Sequence, residues 1–433
     1  MRSILTGWQP PANYQPVSSA VDNITVFAPR PEADDESDQP TTFKCPQCGA
    51  TTAYNVAAGG VACEHCGYVS EAKSATVGQA AEEFEFTLET LSKAAHGWGV
   101  ERKELHCDAC GANITLAEGA LSATCPFCAS NKVAVRAATG DQLRPRVLIP
   151  FQIKPDDLRP RVGKWLGQGW YHPEGLATAA GVERFIGIYL PFWTFDARMD
   201  TGWKAEIGYE RQESYYDSDD KEWKTRTVVD WRWENGSVSV PIDDWLVPGT
   251  ARVSNLILQK LYPFQMSDLV EYAPDYLAGW QAQTYDVNLP QAWETGKTAM
   301  REHARQAAQQ NAKSRTGRVR NFGMTADFAD ESWRFILLPV YIAAYTFERK
   351  VYQVMVNGQS GGVAGQKPVA WWKIWLALTA LLSPGFCLGL LGTPLLLTGP
   401  PGLIVVIIAV LLLFGGGAAA WHIYNTARSS EAA

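Results

Sequence analysis

From Ile374 to Trp421 the chain carries no Asp, Glu, Lys, Arg or His, an unbroken run of 48 residues. A helix rises about 1.5 Å per residue, and about 20 apolar residues cross a hydrocarbon core of about 30 Å. Such a run excludes a wholly soluble chain and leaves room for two spans joined by a tight turn. Thr398-Gly-Pro-Pro-Gly402 is the natural break between them. The first span is expected over Trp371–Leu397, kinked at Ser383-Pro-Gly385, and the second over Leu403–Tyr424. The alternative is one span with the other half re-entrant. Lys367 and Lys373 precede the first span, Arg428 follows the second, and the turn is uncharged. The positive-inside rule then puts both ends in the cytosol, with Trp371, Trp372, Trp375 and Trp421 as interfacial aromatics. Cys387 falls inside the first span and reads as a small packing residue.

The first residues lack the apolar core of a secretory signal, so the bulk of the chain is expected to stay in the cytosol. Residues 1–40 read as a solvated acidic tail, with a charged run from Glu32 to Asp38.

Eight of the nine cysteines fall in four Cys-x-x-Cys pairs. Cys45, Cys48, Cys63 and Cys66 form one set; Cys107, Cys110, Cys125 and Cys128 form a second, 62 residues further on at each position. In a reducing compartment such pairs favour metal over disulfides. In each set 14 residues separate the inner cysteines, enough for two short strands. Gly49, Gly67 and Gly111 follow a cysteine directly, as a tight knuckle requires, whereas Ala129 departs from that pattern. Four thiolates are a tetrahedral zinc donor set with no open position, so two structural zinc ribbons are expected rather than a redox pair or an iron–sulfur cluster. His65 and His106 lie in or beside knuckles, but four thiolates already fill each site.

Between residues 41 and 140 seven Lys or Arg face ten Asp or Glu. An acidic ribbon pair is a poor partner for nucleic acid, whose affinity rests on phosphate neutralisation. One basic stretch, Lys297, Arg301, Arg305, Lys313, Arg315, Arg318 and Arg320 against Glu302, reads mainly as a solvated helix beginning near Pro290. Its functional alternative is contact with anionic headgroups. Gly296-Lys-Thr298 resembles the end of a phosphate loop but lacks its first glycine, since position 291 is Gln. No nucleophile constellation is visible, and Asp156-Asp157 and Asp243-Asp244 read as caps or turns. An enzyme is not expected.

Residues 138–366 read as a mixed α+β domain holding 11 of the 17 tryptophans. Phe151-Gln-Ile-Lys-Pro opens a strand–helix–strand unit ending in Tyr189-Leu-Pro-Phe-Trp-Thr-Phe-Asp196. Tyr285-Asp-Val-Asn-Leu-Pro opens another ending in Phe335-Ile-Leu-Leu-Pro-Val-Tyr341, and the shared grammar suggests an internal duplication. A proline inside each apolar run points to an edge strand or bulge. Hairpins are expected over Trp203–Val240, turning at Asp217-Ser-Asp-Asp220, and at Asn357-Gly358. Phe84, Leu88, Leu91, Ala95 and Trp98 suit one face of an amphipathic helix, with a short strand as the alternative.

The paired Cys-x-x-Cys ribbons, Tyr189-Leu-Pro-Phe-Trp-Thr-Phe-Asp-Ala197, Tyr276-Leu-Ala-Gly-Trp280 and Val356-Asn-Gly-Gln-Ser-Gly361 together resemble a bacterial family. It is the membrane-anchored twin zinc-ribbon family of the YdjG type, whose members often carry labels such as primosomal protein N′ or replication-restart helicase-like. The motor motifs of a helicase are absent from this chain. The resemblance implies a membrane anchor and docking platform beside PspA-like or SPFH/flotillin-like stress proteins, and of site residues only the eight cysteines carry over.

The expected architecture is therefore multidomain α+β. It comprises an acidic tail (1–40), zinc ribbon 1 (41–70), a helical connector (71–104), zinc ribbon 2 (105–137), the α+β domain (138–366), a transmembrane hairpin (367–424) and a tail (425–433). The expected function is a non-enzymatic adaptor at the inner membrane that contacts the lipid bilayer and protein partners. A membrane-tethered nucleic-acid binder tied to replication or repair is the alternative.

Overall fold

A computed structural model of the chain describes residues 14–17, 26–29, 43–71, 76–78, 84–85, 103–116, 125–128, 130–137, 142–179, 185–219, 221–396 and 399–432. Residues 1–42 with 99–101 form one unit and the remainder a second. In the first, β1 (Tyr14–Val17) pairs antiparallel with β2 (Val26–Pro29) inside the segment expected to be a tail. Tyr, Val and Phe in these two segments favour strands.

The second unit is mixed α+β. A small sheet comprises β3 (Ala53–Asn55), β4 (Gly60–Ala62) and β5 (Val69–Glu71). The large sheet takes in β6 (Phe84–Glu85), β7 (Lys103–Cys107), β8 (Asn113–Leu116), β9 (Val133–Ala137) and β10 (Val147–Leu148). After α1 (Leu158–Leu166) and α2 (Leu176–Ala179) come its long strands β11 (Ile186–Asp217) and β12 (Glu222–Pro248). Then follow α3 (Asn255–Leu261), β13 (Val270–Glu271), β14 (Gln281–Gln283), α4 (Leu289–Lys313), β15 (Val319–Phe347), β16 (Lys350–Asn357) and β17 (Val363–Gly365). Two apolar helices, α5 (Trp371–Leu395) and α6 (Pro400–Ala432), end the chain.

The central pair of the large sheet is β11 against β15, antiparallel, with Leu190 opposite Leu338. About this point the two strand–helix–strand units meet in matching register. β14 runs parallel to β11 (Ile188↔Gln281, Tyr189↔Ala282), and β10 runs parallel to β15 (Ile336↔Val147, Leu337↔Leu148). Gly249 N–H donates to Pro191 O at 2.8 Å, and Gly358 N–H donates to Pro339 O at 2.9 Å. The carbonyl of Gly249 accepts from the amides of Asp286 and Val287, and that of Gly358 from the amides of Gln152 and Ile153. Trp193 Nε1 donates to Val287 O at 2.9 Å; Tyr341 OH donates to Ile153 O at 2.6 Å. A Cβ at position 249 would be tight against Pro191 at 3.1 Å, and one at 358 would lie 2.6 Å from Phe151 and 2.9 Å from Pro339, so glycine gives the close approach at both prolines.

The prolines thus occupy central strands, not the expected edge. Beside Pro191 the outer ladder changes from β14 to β12; beside Pro339 it changes from β10 to β16. The missing N–H therefore falls where neither outer strand needs it.

Both faces of the central pair are buried, which explains its continuous apolar runs. Tyr189, Trp193, Leu337 and Tyr341 point to one face, where α1 and α4 pack through Leu158, Val162, Ala292, Trp293 and Met300. Ile188, Leu190, Phe192, Ile336 and Leu338 point to the other, against Ile257, Leu258 and Leu261 of α3. The N-terminus of α4 is fixed by a capping box between Asn288 and Gln291. Gly296 lies inside α4, where a Cβ would come within 3.1 Å of Val247, so Gly296-Lys-Thr298 is a close-packing feature and not a phosphate loop.

The hairpin of β11 and β12 forms as expected, closing at Asp217↔Glu222. At Asn357 the expected two-residue turn does not form. Asn357 is buried, its Oδ1 accepts from the amides of Gln359 and Ser360, and the chain returns only at Gly362, with Gly361 at φ +77°. The expected hairpin is β16 with β17, Val356 opposite Val363, turning through the longer loop 357–362; a separate two-residue turn, Glu348-Arg349 at φ 47° and 65°, joins β15 to β16. Asp243-Asp244 is likewise no cap or turn. It forms a bulge in β12, two residues opposite the single Asp196 of β11, with Asp244 at φ 50° and ion-paired to the buried Arg334. Phe84–Glu85 is a strand beside Ser332 and Trp333, where a helix was the preferred reading; the remainder of 82–98 lies outside the described residues, apart from that pair.

Helices α5 and α6 are each long and apolar enough to cross a membrane. They pack closely where glycines let the backbones approach: Gly385 against Leu413, Gly392 against Val406, Gly416 against Leu381. Helix α5 runs unbroken through Pro384, and α6 continues to Ala432, past the expected end at Tyr424. Both outer ends seat on the domain: Ala370 N–H donates to Tyr171 O at 2.9 Å, and Tyr171 packs against the cluster of Val369, Ile374 of α5 and Ala427 of α6. The two ends are also tied to each other, with Trp371 Nε1 donating to Glu431 at 3.1 Å and Lys367 N–H to Ser430 O at 3.0 Å. Cys387 is exposed on α5 rather than packed.

Candidate metal centres

Each expected set of four cysteines comes together. In the first, Cys45 Sγ lies 3.4 Å from Cys66 Sγ and Cys48 Sγ 3.6 Å from Cys63 Sγ. In the second, Cys107–Cys128 and Cys110–Cys125 are each 3.6 Å apart. Within each set all four sulfurs lie within 4.8 Å of one another. Disulfide sulfurs stand about 2.05 Å apart, whereas thiolates about 2.3 Å from a tetrahedral centre stand about 3.8 Å apart. The spacing therefore suits a shared ion, and each cluster can hold one.

The knuckles explain how these sequences build the sites. Gly49, Gly67 and Gly111 stand at φ +72°, +75° and +71°, and each returns its N–H to the carbonyl of the first cysteine of its pair. Cys45, Cys63, Cys107 and Cys125 in turn donate their amides to Ala50, Tyr68, Ala112 and Ser130. The fourth knuckle closes without glycine. Burial pushes the Cys45 thiol up, but the amides of Cys48 and Gln47, together with the neighbouring thiols of Cys66 and Cys48, outweigh it and bring the thiol down to about 7. Cys107 behaves alike, burial opposed by the amides of Cys110 and Ala109, and also comes to about 7. These amides are the ready-made thiolate support of a metal knuckle.

Neither histidine joins a cluster. His65 is exposed, and His106 Nδ1 is 2.6 Å from Asn113 Oδ1. A third group, Asp196, Asp243 and Asp244, has carboxylate oxygens equally close together, but the fully buried guanidinium of Arg334 already bridges Asp196 and Asp244.

The ribbons attach differently. Ribbon 1 docks through Tyr54, whose amide donates to Ala278 O and whose carbonyl accepts from Trp280 Nε1 at 3.1 Å. Its ring meets Tyr276 at 5.0 Å. The Tyr276-Leu-Ala-Gly-Trp280 motif is thus the socket for ribbon 1, a role its sequence did not disclose. Ribbon 2 is continuous with the large sheet, because β8 pairs with β14. Cys107, Cys125 and Phe127 belong to the core on the α3 face. Arg252 clamps ribbon 2 by donating to Cys110 O while pairing with Asp286.

The basic stretch is divided by the fold. Arg318 and Arg320 pair with Glu210 and Glu206 of β11, and Arg301 stacks on Phe328.

The chain is similar to the uncharacterized protein YdjG of Bacillus subtilis (strain 168), with 24% identity over 335 residues, 77% of this chain and 92% of that protein. No family model and no solved structure matches. The similarity to YdjG spans most of both chains, and a YdjG-type relationship is what it supports.

Proposed function

We propose that the protein is a non-enzymatic membrane-anchored adaptor. Helices α5 and α6 fix it in the inner (cytoplasmic) membrane, and two structural zinc ions complete ribbons that dock partner proteins on the cytosolic side. The observation that carries this reading is the apolar hairpin whose two outer ends seat on the ribbon-bearing domain. Its outward side chains stay uncovered, with Phe414 81% exposed and Leu411 66% exposed, which water would not tolerate over such an area. Zinc is favoured because four soft thiolates at tetrahedral spacing suit it. The matching hydrogen bonds about Leu190 and Leu338 support an origin of the α+β domain by duplication. The resemblance to YdjG-type proteins makes PspA-like or SPFH/flotillin-like proteins of the envelope-stress response the partners to seek.

A nucleic-acid role is disfavoured, since two of its supporting arginines are neutralised by Glu206 and Glu210. The experiment is purification of the tagged chain from its own host in gentle detergent, with mass spectrometry of what accompanies it. Stress or flotillin-like proteins at near-stoichiometric amounts are expected. Replication proteins or bound nucleic acid would overturn the adaptor reading. Deleting residues 371–424 should release the protein from membranes and delocalise its partner.

A further inference from the structure

A cavity of about 330 Å³ lies between the C-terminal end of α1, the turn that follows it and the first turn of α5. Its lining includes Trp170, His172, Glu174 and Lys373, together with the backbone of Gly167 and Gly169. The size is at the lower end of ligand pockets. Its position is distinctive, because Lys373 is the last charged residue before the charge-free run.

The polar groups are placed side by side and incompletely used. Lys373 Nζ donates to His172 O at 3.3 Å and to Glu174 Oε1 at 3.1 Å. An ammonium has three N–H donors, so these two bonds leave capacity for an anion. The Glu174 side chain is exposed and can accept from a second cation with its other oxygen. His172 is buried with Nδ1 held at 2.9 Å from Pro368 O, which fixes the ring under the turn. Gly169, at φ +99°, passes so close that a Cβ would lie 2.6 Å from that ring, so the pocket wall is built and not incidental. Trp170, 54% exposed, lines the pocket, and the 65% exposed Trp372 has its ring centre 5.7 Å from Lys373 Nζ, as aromatics stand at headgroup depth.

We propose that this pocket holds the headgroup of a bilayer phospholipid carrying both a phosphate and a primary ammonium, as phosphatidylethanolamine does. Lys373 takes the phosphate and Glu174 the ammonium. A purely anionic headgroup brings no cation to the second oxygen of Glu174 and competes with that carboxylate for Lys373, and a choline headgroup has no N–H to donate. The site rests on the reading of α5 and α6 as a membrane hairpin.

The test places the full-length protein in nanodiscs of phosphatidylcholine alone, or with added phosphatidylethanolamine or phosphatidylglycerol. After release into gentle detergent, native mass spectrometry counts the lipid retained. One phosphatidylethanolamine per chain is expected, with retention falling about tenfold or more in Lys373→Met and in Glu174→Gln, roughly 1.4 kcal/mol per factor of ten. Unchanged metal content and liposome flotation establish that the variants fold and insert. Equal retention of all three lipids, or variants that retain lipid like the parent, would overturn the site. So would binding of soluble phosphoethanolamine with no lipid retained, which makes the occupant a solute. Flotation with no selective retention breaks the headgroup site alone; a chain that does not float breaks the membrane reading and the site with it.

Discussion

Ribbon 1 and ribbon 2 carry four cysteines at one spacing, and in both the first cysteine of each pair donates its amide to the residue five further on, yet they serve opposite faces of the large sheet and are held in different ways. Tyr54 plugs ribbon 1 into the core on the α1–α4 face, while the strands of ribbon 1 pair only with each other. Ribbon 2 lends β8 to the large sheet and puts Cys107 and Cys125 into the core on the α3 face. A cysteine motif determines a local metal knuckle but not the mechanical standing of what it closes. Ribbon 2 is part of the domain; ribbon 1 is a docked attachment.

The strongest test of that contrast is one cysteine from each. Cys107 is fully buried and forms the last rung of β7 against β9. Cys107→Ser should cost the domain about 4 kcal/mol, roughly 8–16 °C in melting midpoint for a unit of this size. Cys45→Ser should empty ribbon 1 while moving the domain midpoint by less than half as much. Tryptophan fluorescence melts in detergent read this directly, because Trp193 and Trp333 are buried in the core. Equal shifts for the two variants would erase the distinction.

Tyr54→Ala attacks the dock without touching a metal ligand. Truncating a buried aromatic costs about 3–5 kcal/mol, and here the loss should fall on docking. The amides of Tyr54 and Trp280 should lose hydrogen-exchange protection while the metal-to-protein ratio stays that of the parent. If metal is lost together with protection, ribbon 1 is not an independently closed knuckle. Arg252→Ala is the matching change for ribbon 2. It removes the donor to Cys110 O and the pair with Asp286 at a partly exposed side chain, so about 1–2 kcal/mol is expected. Ribbon 2 should remain in the sheet through β8 and β14, with β8 amides still protected; their full exchange would show that Arg252, and not strand pairing, holds it.

How far these differences were legible depends on sequence distance. The knuckles, the apolar helices and the β11–β12 hairpin follow from neighbours in the chain, and each was readable. What failed depended on remote partners. The prolines at 191 and 339 looked like edge signals because nothing local shows where an outer ladder changes strands. Asn357-Gly358 looked like a tight turn because Asn357 was not known to be buried, donating from Nδ2 to Leu261 O at 2.9 Å. Arg318 and Arg320 looked available because Glu206 and Glu210 lie far away in sequence and are brought alongside only by β11 and β15. The socket at Tyr276–Trp280 was visible as a motif, but its purpose required Tyr54.

The two halves of the α+β domain invite the finest test, because there the comparison predicts sameness. Trp193 and Tyr341 occupy matching places in β11 and β15, and each gives one hydrogen bond to the matching carbonyl, Val287 O or Ile153 O. The rings differ, so Trp193→Phe also loses aromatic area, whereas Tyr341→Phe removes little but the hydroxyl. Tyr341→Phe should therefore cost about 1 kcal/mol, the net worth of one buried hydrogen bond with its acceptor left behind. In Trp193→Phe the corresponding bond on the other side is what remains of the cost after that area is subtracted. Urea unfolding of both variants should place the hydrogen-bond contributions within a few tenths of a kcal/mol of each other once the lost apolar area, at about 25 cal/mol per Å², is subtracted. A clear imbalance would mean that the halves share a backbone pattern but no longer share its energetics, with one half bearing the fold and the other freed to diverge.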